Sequence, residues 1–101
     1  MDVKLNISWA FGHEDSTQMD PLVFKLLEAV EQGCSLRSAA VRCESSYRHA
    51  WGLMRDWQAM LGAPLLELER GRGARLSNLG KSLLWAQRRT DARMAPILDS
   101  L

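Results

Sequence analysis

Apolar residues recur at three- and four-residue steps most clearly in the stretch Ser46 to Gly62, SYRHAWGLMRDWQAMLG. Ala50, Leu53, Met54, Trp57, Met60 and Leu61 fall on one stripe, the spacing of a helix that buries one face. Tyr47, Arg48, Trp51, Gly52 and Arg55 fall largely on the other side. Ser46 is a good N-cap, because its hydroxyl accepts from an unpaired amide of the first turn. Gly62 is a good stop, because glycine adopts the left-handed conformation that closes a helix. Just upstream, Ser35 caps a second, shorter helix running to Arg42. Cys43-Glu44-Ser45 is a tight connection between the two, and Ala39 and Ala40 are small enough for a close crossing. Two helices joined in this way form a helix-turn-helix pattern.

The rest of the chain predicts elements around that pair. Val3 to Phe11 alternates, with Val3, Leu5, Ile7 and Trp9 opposite Lys4, Asn6 and Ser8, and reads as a half-buried strand. Gly12 to Gln18 is polar and reads as a loop. Asp20 caps a helix with Pro21 in its first position, where the missing amide is no loss. Val23, Phe24, Leu26, Leu27, Ala29 and Val30 give that helix its apolar face, and Gly33 ends it. After Pro64, the run Leu65 to Glu69 and the segment Ala74-Arg75-Leu76 flank Arg70-Gly71-Arg72-Gly73 and predict a β-hairpin. Ser77 caps a long last helix from Asn78 to about Ala95, which Pro96 breaks or kinks. Gly80 sits early in it at some cost in stability. The expected fold class is mainly α, with a small hairpin and an N-terminal strand. The expected organisation is one domain over residues 1–101.

Composition changes this picture little until the chain is divided. Hydrophobic residues make up 47% of it and the net charge is +1. Residues 1–33 carry two bases against six acids, a net −4, whereas residues 34–101 carry eleven bases against six acids, a net +5. Such asymmetry points to a polyanion on one side. Ten of the eleven bases in the second part are arginine, suited to bidentate contacts with phosphate and guanine. No apolar run reaches membrane-spanning length and the start has no signal-peptide run, so the expectation is a cytoplasmic protein. Cys34 and Cys43 make neither a disulfide framework nor a metal-ligand pattern and read as small apolar residues.

Candidate chemistry follows from the elements. Ser46, Tyr47 and Arg48 occupy the start of the second helix of the pair, the part that meets base edges in the major groove, and Arg55, two turns further on, is a candidate for a phosphate rather than a base. Arg70, Arg72 and Arg75 straddle the hairpin and are candidates for backbone contacts. Trp51 has two readings, stacking on a DNA sugar or packing under the hairpin. Trp57 belongs to the core. Trp9 and Trp85 pack together or lie at a subunit interface. His49 has no His, Cys or carboxylate at ligand spacing. The Gly-Arg-Gly tip opens onto no helix and lacks the Gly-Lys-Ser/Thr of a phosphate loop. No paired carboxylates, nucleophile-base pair or metal cluster is visible, so an enzyme is not expected, nor a cofactor.

With the elements in order, a resemblance emerges. Ala40 to Trp51, AVRCESSYRHAW, resembles the helix-turn-helix of the ModE-type molybdate-responsive regulators, through Ser46, Tyr47, Arg48, Ala50 and Trp51. Gly62-Ala63-Pro64-Leu65-Leu66, then Gly71 to Ser77, and Gly80 resemble the wing and following helix shared by ModE-like and LysR-type N-terminal domains. The resemblance covers about residues 20–95 and implies a winged helix-turn-helix, with the helix-turn-helix and wing in about residues 20–76 and a dimerisation helix in 77–101. Glu44 stands where the family has glycine, and Ser45 where it has an apolar plug. The chain ends before a molybdate-binding domain begins, so molybdate is not expected. The expected function is a bacterial transcriptional regulator that binds duplex DNA as a homodimer. The alternative is a winged-helix interaction or dimerisation module without DNA binding. The expected dimer contact comes from Leu83, Leu84, Trp85, Met94 and Leu98 of the last helix, completed by Phe24 and Leu27.

Overall fold

The computed structural model describes residue 4, residues 6–71 and residues 73–101. Among them the chain is mainly helical, with four helices and two small antiparallel sheets. Helix α1 runs Pro21–Glu31, α2 Leu36–Arg42, α3 Tyr47–Leu61 and α4 Asn78–Asp99. Strands β1 (Ala10–Phe11) and β2 (Thr17–Gln18) form one hairpin, and β3 (Leu66–Glu69) and β4 (Gly73–Leu76) the other.

The helix starts are where the capping residues put them. The Asp20 carboxylate accepts from Leu22 N–H at 2.9 Å, and the hydroxyls of Ser35 and Ser46 accept from Ser38 and His49 N–H at 3.1 Å each. Each side chain satisfies an amide that has no partner inside its helix. Gly62 closes α3 at φ +79°. The turn between α2 and α3 places Glu44 at φ +57°, the left-handed region that disfavours side chains other than glycine.

Helix α1 is the hub of the core. Val23, Phe24, Leu26, Leu27, Ala29 and Val30 are all buried, and α1 touches α2, α3, β4 and α4. Leu36, Ala39 and Ala40 of α2 are buried against it, as are Ala50, Met54 and Trp57 of α3, and Leu83 and Leu84 of α4. The two alanines of α2 have almost no exposed surface, which is the close crossing their size permits. Leu53 and Leu61 line the core edge half-buried, whereas Met60 is 48% exposed and lies outside the stripe expected to bury it. Cys34 and Cys43 are half-buried free thiols against the core.

Two expectations need correction. The strand expected over Val3 to Phe11 shrinks to Ala10–Phe11; Lys4, Asn6, Ile7 and Ser8 are not in a strand, and Val3 and Leu5 lie outside the described residues. The expected loop instead contributes β2, in register Ala10↔Gln18 and Phe11↔Thr17. Two aromatic contacts set this arrangement: Trp9 packs on Phe24 at 5.8 Å between ring centres, and Phe11 packs edge-on against Trp57 at 5.5 Å. The hairpin thereby closes over α1 and α3. Second, α4 continues through Pro96 to Asp99. Proline deprives one turn of a hydrogen bond, and the helix continues past it all the same. Gly80, early in α4 as expected, is buried against Leu65. A Cβ there would overlap the Leu65 carbonyl oxygen and lie 3.2 Å from its carbon. The glycine is a packing requirement.

Ser77 locks this junction. Its N–H donates to Leu65 O at 3.0 Å, its hydroxyl donates to Pro64 O at 2.6 Å, and the same oxygen accepts from Gly80 N–H at 3.0 Å. The two ends of the β3–β4 hairpin are thus tied to the start of α4. A second tie joins α4 to α1, where both Arg88 terminal nitrogens donate to Glu31 at 2.9 and 2.6 Å. Those hydrogen bonds hold the Glu31 carboxyl below its ordinary range and raise Arg88.

Candidate nucleic-acid interface

The outward side of α3 carries Tyr47, Trp51 and Arg55 at four-residue steps, one ridge on the helix surface. Tyr47 is 38% exposed and Trp51 43%. Each ring is covered by a cation. Arg37, from α2, lies 4.2 Å from the Tyr47 ring centre, and Arg55 lies 5.3 Å from that of Trp51. Both distances are within cation–π range. Arg48, one residue after Tyr47 and about 100° around the helix from it, is exposed and has no ion-pair partner among the described residues. Arg55 also meets Asp56 at 3.2 Å, with both side chains more than half exposed, a pairing weak enough to exchange for another anion.

Arg37 was absent from the residues the sequence pointed to. Its contact with Tyr47 depends on the angle between α2 and α3, and periodicity within either helix is blind to that angle. The position is nonetheless consistent with a charged residue on the exposed side of α2, beside buried Leu36.

The β3–β4 hairpin lies alongside this ridge. Its register pairs Leu66↔Leu76, Glu67↔Arg75, Leu68↔Ala74 and Glu69↔Gly73. Side chains alternate across a strand, so Leu66, Leu68, Ala74 and Leu76 share one face and Glu67, Glu69 and Arg75 the other. The apolar face turns to the core and α3. Leu36, Trp51, Met54, Arg55, Gln58, Leu65, Leu66 and Leu68 line a cleft of about 220 Å³ there. Trp51 therefore borders the hairpin and keeps an exposed edge, so its two readings are compatible. Leu68 projects beyond the core edge and is 66% exposed.

The arginines expected to straddle the hairpin are not equivalent. Arg70 is exposed in the turn, and Arg72 lies outside the described residues. Arg75 sits on the face away from α3, held at 2.9 Å by Glu67 and 3.1 Å by Glu69. One base between two acids offers a phosphate little attraction, and the fold does not bring Arg75 together with Tyr47 and Arg48.

The residues expected at a dimer contact also divide. Phe24, Leu27, Leu83 and Leu84 are at most 8% exposed and belong to the core of the single chain, so they cannot form a contact surface. After Leu84 no residue of α4 is buried. Met94 and Leu98 are half-buried, and Ile97 and Leu101 are 55% and 83% exposed. These residues continue the side of α4 that carries Leu83. Trp85, 58% exposed, is nine positions from Met94. At 3.6 residues per turn nine positions amount to about half a rotation, so Trp85 and Met94 face opposite ways. Trp9, packed on Phe24, is not its partner.

No family model matches this chain, and no curated protein matches it. Among the described residues there is no group of three or more His, Cys, Asp or Glu placed to hold a metal, and no helix is long and apolar enough to cross a membrane.

Proposed function

We propose that the chain is a winged helix-turn-helix protein that binds duplex DNA as a homodimer and acts on transcription. The observation that carries this reading is the exposed ridge Tyr47–Trp51–Arg55, with Arg48 beside it and Arg37 stacked on Tyr47, on the second of two closely joined helices. On this reading α3 enters the major groove by its N-terminal turns, and the β3–β4 hairpin is the wing. Arg48 reads a base edge, Arg37 and Arg55 meet phosphates, and Arg70 extends the backbone contact. Ser46 acts through its cap, which sets the direction of the first turn.

A second copy fits the end of α4. Met94, Ile97, Leu98 and Leu101 form an apolar stripe that runs past the core. An antiparallel pairing of two such stripes would place the two α3 helices for a palindromic site. Sedimentation velocity tests this directly. We expect about twice the 11.4 kDa chain mass at micromolar concentration, and a shift toward monomer on truncation after Arg89.

The competing reading, a protein-interaction module without DNA binding, is favoured by the engagement of Arg75 with Glu67 and Glu69 and by the net charge of only +1. Gel retardation with random duplex at low salt separates the two, since no retardation at micromolar protein supports the competitor. Selection from a random duplex library then gives the site. Against that site, Arg48→Ala should lose about 1–3 kcal/mol and relax preference at one position. An equal loss on every sequence would make Arg48 a phosphate contact.

A further inference from the structure

The back of α4 carries a surface that neither the DNA reading nor the dimer reading uses. Lys81, Trp85, Arg89 and Arg93 are all exposed and stand at successive four-residue steps. They form one ridge about 18 Å long at 1.5 Å per residue. None of the three cations has an ion-pair partner among the described residues. Two shallow clefts meet at Trp85. One is lined by Val30, Glu31, Arg75, Leu76, Lys81 and Trp85, the other by Lys81, Ser82, Trp85 and Arg89. Glu31, which lines one of these clefts, is engaged by Arg88, and Glu67 is engaged by Arg75.

We infer that this ridge docks an acidic amphipathic helix of another protein. That helix would carry carboxylates at four-residue spacing and an apolar side chain that covers Trp85. Charge complementarity is the first argument, since three unpaired cations flank one large apolar ring. A second copy of this chain in symmetric contact is disfavoured, because it would set Lys81, Arg89 and Arg93 against the same three cations. A nucleic-acid backbone is disfavoured by the Glu67 and Glu69 carboxylates beside Arg75 at the edge of the surface, and by the indole, which a phosphate does not cover. Tryptophan and arginine are the residue types most enriched where protein partners anchor. A ridge at four-residue spacing is also the feature that packs into the groove of a second helix. The Trp85 cleft includes Arg75, on the opposite hairpin face from the Ala74 that borders Tyr47, so it stays open when α3 is occupied. The inference is independent of whether α3 binds DNA.

The test uses the full chain and a labelled synthetic peptide, helical in solution, with Glu at every fourth position and Leu beside them. A counterpart has Lys in place of each Glu. Fluorescence anisotropy should give saturable micromolar binding of the Glu peptide and none of the Lys peptide. Trp85→Ala should weaken the Glu peptide by about tenfold or more, and Arg89→Glu with Arg93→Glu should abolish it. Circular dichroism should show unchanged folding, since all three side chains are exposed. Added duplex should leave peptide binding intact. Equal binding of the two peptides, or no effect of Trp85→Ala, overturns the proposal. So does displacement of the peptide by duplex together with loss of duplex affinity in the Arg89→Glu, Arg93→Glu variant, which would make the ridge a nucleic-acid surface. If the wild-type chain binds the peptide but no duplex, only the DNA reading fails.

Discussion

Gly80→Ala sets two effects of opposite sign against each other. In a helix interior, alanine is favoured over glycine by about 1 kcal/mol. Helix propensity alone therefore predicts a more stable protein. The structure predicts the reverse. A Cβ at position 80 would overlap the carbonyl oxygen of Leu65, a residue 1% exposed. That carbonyl cannot rotate freely, because it accepts from Ser77 N–H at 3.0 Å. Relief requires either that α4 lift from the hairpin or that this hydrogen bond break. Overpacking of this kind costs about 1–3 kcal/mol, and a lost hydrogen bond about 0.5–1.5 kcal/mol. With both costs counted and the propensity gain subtracted, the variant should be destabilised by about 0.5–3.5 kcal/mol. For a domain of this size that lowers Tm by at least a few °C. Thermal and urea denaturation followed by far-UV circular dichroism would measure it. Gly52→Ala is the internal control, since Gly52 is also within a helix but a Cβ there meets nothing within 4 Å. It should gain close to the full 1 kcal/mol. If both variants are stabilised alike, the close approach of α4 to Leu65 is wrong, and with it the account of how the hairpin is held.

Three further outcomes are expected. Ser77→Ala removes the cap of α4 and the bond to Pro64 O, and should lose about 2 kcal/mol in urea denaturation; a loss near zero would mean that water replaces the hydroxyl. Glu44→Gly relieves a left-handed side-chain residue at φ +57°, about 1–2 kcal/mol, and gives back about 0.5–1 kcal/mol in chain entropy, so a net gain of about 0–1.5 kcal/mol should appear; a lower stability would refute the strain. Glu31→Gln tests the α1–α4 tie. Because Arg88 depresses the Glu31 carboxyl, its contribution is present above the ordinary carboxylate range and is lost as pH falls through the depressed value. The pair is partly exposed, so wild type should exceed the variant by less than about 1 kcal/mol at neutral pH, with the difference gone in acid; a difference constant with pH would exclude the ion pair as its source.

The local elements were legible in the sequence because their causes are local. Asp20, Ser35, Ser46 and Ser77 each cap the helix that follows, and Gly62 ends α3, since capping involves groups within a few residues. The apolar face of α1 and Trp57 of α3 were visible for the same reason, as a stripe needs only helical spacing. Tertiary packing decided what spacing leaves open. Whether Leu83 and Leu84 face a core or a partner depends on how α1 approaches α4, and α1 buries both. Whether Gly80 is a weakness or a requirement depends on Leu65, which arrives from another element. Arg75 looked like a free base until the register set it between two glutamates. Arg37 looked unremarkable until the crossing of α2 and α3 placed it over Tyr47. The N-terminal hairpin rests on α3 through Phe11 and Trp57, a contact that alternation along a strand cannot encode. In each case the deciding partner lies in another element, and contacts between elements are where periodicity and capping carry no information.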